Sequence, residues 1–232
     1  MTYAQATELR KQLQSAGRYM LANELAWGNA GNLSAQLDGE SMLITASGTQ
    51  LGDLAPEDLV TCPLDAALPV PRLPGARRPS KEMPMHRAVY NTRPEVQAVL
   101  HASPFYSTLV ACSGIALPGN LFVEDMYYLE RIARVPYCHP GSPELGEAVR
   151  AHAAEANILL LDNHGVLVYD TSVREALMAL HTLEFVSRMV ITARGAGVEL
   201  NALPRAQVED FLARSGYRPR RDWPQHGEET AT

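Results

Sequence analysis

Two histidines stand at the ends of apolar runs, and their side chains are the first groups in this sequence suited to chemistry. His101 follows the run 96–100, and His164 lies between the runs 158–161 and 166–169. Short runs of branched apolar residues are typical of buried β-strands. A lone histidine is more often a hydrogen-bonded structural residue, but two imidazoles at neighbouring strand ends can share one metal cation.

The residues around His164 indicate a tight turn. Asp162 and Asn163 precede the histidine and Gly165 follows it. Asn and Gly tolerate the positive φ angles that a sharp reversal demands. We therefore expect two buried strands joined by this turn, with His164 where the sheet ends.

Small polar residues flank an earlier predicted hairpin. The segment 31–37 alternates apolar and polar residues, reverses at Asp38-Gly39 and returns through 41–45. Asn32 and Ser34 lie at one end of these strands and Ser47-Gly48 at the other. Such side chains and free backbone N–H groups suit an anion, although ordinary loop polarity explains them equally well.

Glu82 is predicted at the beginning of a helix that follows a proline-rich loop. Ser80 is the expected helix cap, and Pro84 belongs in the first turn. A carboxylate at a helix start is stabilised by the helix dipole and needs no chemical role. Lys81 is compatible with a phosphate or with solvent.

Three further polar residues have structural interpretations. Ser103, followed by Pro104, is predicted to cap a helix that runs through Cys112. His139 is predicted to lie in a loop. Asp125 falls in a segment whose structure is ambiguous.

The composition favours one domain with a small-molecule partner. The chain has 232 residues, 46% of them hydrophobic, and a net charge of −6, so it lacks the basic composition of nucleic-acid and membrane-surface binders. The absence of a long apolar run and of a signal-peptide pattern predicts a cytoplasmic protein. Its cysteines contain no CxxC pair, and all are expected to be buried thiols: Cys62, Cys112 and Cys138.

The remaining pattern predicts the scaffold. An N-terminal amphipathic helix is expected to end at Gly28, a long one from Val173 to end at Gly195, and a short one to begin at Pro204. No GxGxxG motif, Walker loop or repeat is found. We expect a single domain, 1–232, with a mainly antiparallel sheet covered by helices and a weakly specified tail from about 216.

Taken in order, these segments resemble the class II aldolase and adducin head-domain family, and within it the fuculose-phosphate aldolases. The resemblance rests on WGNAGNLSAQL, ITASG, EDLV, PSKE followed by His86 and Tyr90, AVLH, YCHPGSPEL, LLLDNHGVLVYD and LEFVSRMV. It implies an α/β fold, a three-layer αβα sandwich with a mainly antiparallel central sheet. It also implies a homo-oligomer, usually a tetramer with active sites between subunits, and sugar-phosphate chemistry on a divalent metal, with Zn²⁺ favoured.

The resemblance also assigns roles to individual residues. It makes His101 and His164 metal ligands and Glu82 the acid/base carboxylate. Tyr217 is similar in position to a C-terminal tyrosine that some members lend to a neighbouring subunit. The residues that correspond to the phosphate-holding positions are Asn32, Ser47, Gly48, Ser80 and, in place of a serine, Lys81.

One departure from the family pattern affects the metal site. The usual His-x-His is His101-Ala102-Ser103 here, so one of three imidazole ligands is missing. Zinc held by two imidazoles needs further ligands from Glu82, a substrate oxygen or water. His139 is another candidate, but its sequence position gives no geometric support.

The leading hypothesis is a metal-dependent aldolase-type lyase that cleaves a C–C bond of a small sugar phosphate or related ketose through an enediolate. Glu82 would move the proton, and would work best if burial raised its pKa while the metal kept the anion accessible. Three alternatives stay open: a decarboxylase of a β-keto acid, a metal-free adducin-like assembly domain that Ser103 favours, and an epimerase, which the segment with Asp125, Tyr127 and Tyr128 faintly resembles.

Overall fold

A seven-stranded sheet lies between two layers of helices in this computed structural model, which describes residues 2–71, 75–221 and 223. The strands are β1 (Asn32–Gln36), β2 (Ser41–Thr45), β3 (Leu59–Pro63), β4 (Ala98–Ala102), β5 (Ile132–Val135), β6 (Ile158–Leu161) and β7 (Gly165–Asp170). The helices are α1 (Tyr3–Ala22), α2 (Met83–Thr92), α3 (Phe105–Ala111), α4 (Val123–Tyr128), α5 (Pro143–Ala153), α6 (Val173–Ala196) and α7 (Arg205–Arg214).

The strand order is β3-β2-β1-β4-β7-β6-β5. Each neighbouring pair is antiparallel except β5 and β6, which run parallel. The predicted α/β class with a mainly antiparallel sheet is therefore confirmed. The central strands β1 and β4 are buried at every position, as expected for strands covered on both faces.

Two hydrophobic cores lie on opposite faces of this sheet, as the αβα sandwich requires. Leu100 belongs to the core that contains residues of α1, α3 and α6, whereas its neighbour Val99 belongs to the core that contains residues of α2 and α5. Successive side chains of a strand point to opposite faces. His101 therefore lies on the side of the sheet that faces α2.

Two helices end at different residues from those predicted. α1 ends at Ala22 with Asn23 as its C-cap, well before Gly28. α6 continues through Gly195 to Ala196, and its C-cap is Gly197, which adopts the left-handed conformation with φ 67°. Gly197 rather than Gly195 provides the backbone conformation that terminates the helix.

The predicted caps Ser80 and Ser103 are also wrong. The N-cap of α2 is Glu82, and Ser80 Oγ instead accepts a hydrogen bond from the backbone N–H of Glu82 at 3.3 Å. The N-cap of α3 is Pro104, whose backbone is still extended, so Ser103 lies one residue too early to cap the helix. Ser142 caps α5 as a Ser-Pro pair should, accepting from Leu145 N at 3.1 Å.

Of the three cysteines, only Cys62 is a buried thiol as predicted. Cys138 is half-buried, and Cys112 is exposed because it forms the C-cap of α3 at the surface. All three are free.

The long helix α6 is apolar enough, by length and composition, to cross a membrane. Half of its most apolar 18-residue segment is buried within the protein. Its neighbours include α1, α3, α4, β4 and β7. These contacts are those of a core helix.

Part of the predicted tail packs at the start of β4 and the end of β7. Arg221 is buried, and its Nη2 lies 2.5 Å from Asp170 Oδ2. The guanidinium groups of Arg93 and Arg131 lie 4.9 and 4.8 Å from the centroid of the Trp223 ring. Positions 222 and 224–232, like Pro74 of the proline-rich loop, lie outside the described residues.

Candidate active site

Strand pairing brings Asn32 and His101 side by side. The two residues are register partners in the antiparallel pair of β1 and β4. Gly31, with φ 90°, leads into β1, and a Cβ at this position would lie 2.7 Å from the carbonyl oxygen of His101. Only glycine allows the chain to enter β1 so close to β4.

The predicted turn between β6 and β7 carries the second histidine to the same place. Leu161 pairs with Gly165 across the turn, and Asn163 adopts the expected positive φ, 55°. The rings of His101 and His164 have centroids 4.8 Å apart and planes inclined by 65°. The two imidazoles chosen from the sequence therefore lie together.

Glu82 places its carboxylate against both imidazoles. Its Oε1 lies 3.0 Å from His164 Nε2, and its Oε2 lies 3.3 Å from His101 Nε2. The proline-rich loop returns beside β2, where Ser80 N donates to Thr45 O at 2.9 Å, and this contact leads the chain into α2 at Glu82. One donor atom from each of the three side chains lies within 4.8 Å of the others.

The chemistry of these groups fits a divalent cation. His101 Nδ1 lies 3.0 Å from the carbonyl oxygen of Val166, so Nδ1 carries the proton and Nε2 presents its lone pair. A hydrogen bond from the second ring nitrogen to a carbonyl is the usual support of a metal-bound histidine. Two imidazole nitrogens and one carboxylate form a common donor set for zinc.

The electrostatics of Glu82 differ from the expectation. Burial raises the pKa of this carboxyl. The hydrogen bond from His164, the positive charge of protonated His101 and His164, and the hydrogen bond from Asn32 outweigh burial and lower the pKa to about 2. The raised pKa under which Glu82 was expected to work best is therefore absent, because these neighbours outweigh burial. Burial lowers the pKa of His101, which favours the neutral ring that binds metals.

A cavity of about 490 Å³ opens in front of these three side chains. Its walls contain all five residues expected to hold a phosphate: Asn32, Ser47, Gly48, Ser80 and Lys81. Asn29, Thr49 and Pro140 also line it and were not anticipated. The predicted ligands, the predicted carboxylate and the predicted anion-holding residues thus share one cavity.

Ser103, at the position of the missing imidazole, is part of the cavity wall. Its Oγ donates to the backbone carbonyl of His164 at 3.3 Å. The neighbouring loop contributes Pro140 to the wall, but His139 is exposed and is absent from both the described wall and the described donor cluster. Among the described residues, His139 therefore does not complete the donor set.

Two further residues lie close to the site: Ser34, which was considered only for binding an anion, and His86, to which the sequence assigned no role. His86 contacts Asn32, with Nε2 2.5 Å from Oδ1, and Ser34 contacts His86, with Oγ 2.7 Å from Nδ1. The signal was present in the spacing. His86 is one helical turn after Glu82, so these two side chains share a helix face. Ser34 is two strand positions after Asn32, so these two share a strand face.

Tyr217 and Asp125 lie apart from the cavity. The Tyr217 ring packs on Tyr127, with ring centroids 4.9 Å apart. The Tyr127 ring in turn contacts the guanidinium group of Arg221. Arg221 pairs with Asp170, at the end of β7 that is distant from His101. Asp125 is buried and accepts from the backbone N–H groups of Leu121 and Phe122 at 2.8 and 2.9 Å. Its contacts are those of a residue that fixes the start of α4.

The fold agrees with a comparison to known families. The sequence-family model of the class II aldolase and adducin N-terminal domain matches residues 11–191 of this chain. The chain belongs to this family. The resemblance found in the sequence motifs is thereby confirmed, including its likeness to fuculose-phosphate aldolases. An L-fuculose 1-phosphate aldolase structure matches with a TM-score of 0.79 at 26% identity, covering 90% of this chain and 97% of that chain.

Relatives with known names cover nearly the whole chain. A 3-oxo-tetronate 4-phosphate decarboxylase from Haemophilus influenzae is 32% identical over 91% of this chain and 98% of its own length. A 5-methylthioribulose-1-phosphate/5-deoxyribulose-1-phosphate aldolase from Escherichia coli O45:K1 is 30% identical over 88% and 93%. The chain is thus an enzyme of the class II aldolase family, as predicted.

Proposed function

We propose that this enzyme is a divalent-metal-dependent lyase that cleaves a carbon–carbon bond of a small ketose phosphate by a retro-aldol reaction. The observation that carries the proposal is the position of Glu82 between His101 Nε2 and His164 Nε2, within a cavity whose walls also carry Lys81. The aldolase names of several relatives support the same reaction class.

His101, His164 and Glu82 would hold the cation, with zinc favoured by the two nitrogen donors. A divalent ion bound there supplies Lewis-acid polarisation of a substrate carbonyl. His101 has a fixed tautomer because Val166 O accepts its Nδ1 proton, so its Nε2 is ready to bind without rearrangement.

Glu82 is proposed to carry the proton. Its lowered pKa makes it a carboxylate at neutral pH, and so a proton acceptor before the reaction. It would accept the proton of the substrate hydroxyl as the adjacent carbon–carbon bond breaks to give an aldehyde. It would then return that proton to the carbon of the enediolate fragment, which leaves the protein unchanged.

The substrate phosphate is proposed to bind at the side of the cavity formed by Ser47, Gly48, Ser80 and Lys81. These residues offer the hydroxyls of Ser47 and Ser80, the backbone N–H of Gly48 and the ammonium of Lys81, which are groups of the kinds that usually bind a phosphate. The close pairing of Ser47 N with Arg78 O at 2.8 Å supports a fixed position for this part of the wall.

A second candidate reaction is decarboxylation of a phosphorylated β-keto acid. The observation that favours it is the relative from Haemophilus influenzae, which matches this chain over 98% of its own length. Loss of carbon dioxide leaves an enediolate as retro-aldol cleavage does, and Glu82 could deliver a proton taken up from solvent. The same cavity would serve either reaction.

We also infer that the enzyme acts as a homo-oligomer in the cytoplasm, with a tetramer favoured. Tyr217 packs far from the cavity of its own chain, so any catalytic contribution from it would have to reach the cavity of a neighbouring chain. The family resemblance supports such sharing.

One experiment separates the candidate reactions. Zinc-loaded protein is incubated with a panel of ketose 1-phosphates, with aldehyde release as the readout, and with a panel of 3-keto acid phosphates, with carbon dioxide release as the readout. Aldehyde release that disappears in His101→Ala supports the retro-aldol proposal. Carbon dioxide release alone supports decarboxylation. If the first panel releases no aldehyde and the second releases no carbon dioxide, both candidate reactions are contradicted.

A further inference from the structure

A chain of buried hydrogen bonds extends from Glu82 away from the cavity. Asn32 Nδ2 lies 2.7 Å from Glu82 Oε2, and His86 Nε2 lies 2.5 Å from Asn32 Oδ1. Ser34 Oγ lies 2.7 Å from His86 Nδ1 and 2.8 Å from Tyr90 Oη. The carboxylate is therefore connected through four contacts to a tyrosine in the core.

The sequence spacing explains why these five residues meet. Glu82, His86 and Tyr90 lie four positions apart, so the N-cap residue of α2 and the two helical residues share one face. Asn32 and Ser34 lie two positions apart and share one face of β1. The two rows interleave where α2 packs on the sheet.

The carboxylate fixes the direction of every hydrogen bond in the chain. An ionised Glu82 can only accept, so Asn32 must donate to it through Nδ2. Asn32 Oδ1 then faces His86 and must accept from Nε2–H. A neutral His86 has one N–H, so its Nδ1 accepts from the Ser34 hydroxyl, and Ser34 in turn accepts from Tyr90.

The surroundings keep His86 neutral and out of contact with substrate. The residue is fully buried, and it is absent from the described wall of the cavity. Burial, followed by the charge of protonated His101, lowers the pKa of His86 to about 3 against the opposing effect of Glu82. His86 can therefore influence the reaction only through its neighbours.

We propose that His86 is a positioning residue that acts through Asn32. By donating from Nε2, it holds the Asn32 amide in the orientation that donates to Glu82, and so fixes the carboxylate between His101 and His164. If the amide turned over, its oxygen would face the carboxylate oxygen and the two would repel. The catalytic consequence rests on the proposed proton-carrying role of Glu82, whereas the effect on the donor cluster does not.

Two conservative variants test the proposal. In His86→Gln the side-chain amide nitrogen can reach the place of Nε2 and still donate to Asn32, whereas in His86→Asn the shorter amide reaches only the place of Nδ1. We expect His86→Asn to lower kcat and zinc affinity by about 10- to 100-fold, the usual cost of losing a supporting hydrogen bond. KM should stay nearly unchanged, and His86→Gln should recover most of both losses.

A matched control and an activity-independent readout complete the test. His181→Asn removes another histidine that is hydrogen-bonded to a tyrosine, Tyr19, outside the site, and should change neither kcat nor zinc affinity. Zinc affinity is measured by chelator competition and melting temperature by calorimetry for each variant. If the wild type turns over no substrate, the proposed function fails, and the difference in zinc affinity between His86→Asn and His86→Gln still decides this inference. Equal affinities in the two variants, or an Nδ1-protonated His86 in the ¹⁵N spectrum of the wild type, would overturn it.

Discussion

Ser103 Oγ donates a hydrogen bond to the backbone carbonyl of His164 over 3.3 Å, and this contact ties the end of β4 to the turn after β6. Ser103 stands two residues after His101 and lines the same cavity. The residue that replaces the family's second histidine thus holds the loop that carries one proposed ligand, while leaving the donor set one imidazole short.

We expect Ser103→His to tighten zinc binding. Position 103 lies on the cavity wall, so an imidazole there can complete a three-nitrogen set. The gain should be about tenfold or more, equivalent to about 1.4 kcal/mol. Chelator competition measures it, with Ser103→Ala as the control that removes only the hydroxyl. An affinity no higher than that of Ser103→Ala would show that position 103 does not face the cation.

Purified protein should bind about one zinc ion per chain. The reason is the cluster of His101, His164 and Glu82, whose donor atoms lie within 4.8 Å of one another. Elemental analysis after zinc reconstitution gives the ratio. The double variant His101→Ala, His164→Ala should lose the ion, whereas His152→Ala, on α5 outside the cluster, should keep it. Unchanged zinc content in the double variant would mean that the ion binds elsewhere.

Glu82→Gln should separate catalysis from folding. The amide has nearly the same shape but cannot carry a proton, so turnover should fall by roughly two to four orders of magnitude. The protein should still fold, but its unfolding free energy should fall by roughly 1 to 3 kcal/mol, because the substitution removes a buried charge that His101, His164 and Asn32 stabilise. Calorimetry and the product assay are run on the same preparations. Glu147→Gln, which alters an exposed ion pair with Arg150, is the control. Normal turnover in Glu82→Gln would assign the proton transfer to another group.

Tyr217 can be tested by mixing inactive variants. If it serves a neighbouring chain, Glu82→Gln and Tyr217→Phe should each be impaired alone, and mixed oligomers should regain turnover because some sites then contain both native residues. Light scattering checks that the subunits have exchanged. A mixture of Glu82→Gln with His101→Ala lacks two groups of one cavity and should recover much less. Full activity of Tyr217→Phe alone would remove this tyrosine from the mechanism.

The cysteines should differ in reactivity. Burial raises the pKa of the Cys62 thiol to about 11 from its ordinary value of 9.0. Cys62 should therefore stay protonated and unlabelled in the folded protein near neutral pH, whereas the exposed Cys112 should react. The stability that Cys62 contributes is present below about pH 9 and is lost as pH rises through about 11. Mass spectrometry after thiol alkylation checks the order. Equal labelling in the native state would mean that β3 opens readily.

The features that the sequence predicted well depend on neighbouring residues. Asn163 and Gly165 are enough to predict the turn that carries His164, and Ser142 with Pro143 is enough to predict the cap of α5. The alternation of β1 places Asn32 and Ser34 on one face in the same way. Each of these predictions concerns backbone conformation within a few residues.

The features that the sequence missed depend on distant partners. The register that pairs Asn32 with His101 joins segments separated by β2, β3 and α2, and no local pattern specifies it. The pKa of Glu82 is lowered, although burial alone would raise it, because three residues from three other segments surround the carboxylate. Ser103 has a helix-cap pattern, yet its hydroxyl is engaged by the turn after β6.

The strand order has a consequence for how the protein is made. β4 lies between β1 and β7, so residues 32, 101 and 164 come together only after loops far longer than a hairpin have closed. Closing long loops is slow and costs entropy before any contact is gained. A nascent chain that has not yet extended past β7 cannot assemble the donor cluster. Cation capture should therefore coincide with the final cooperative step of folding, so that only a completed sheet acquires the metal.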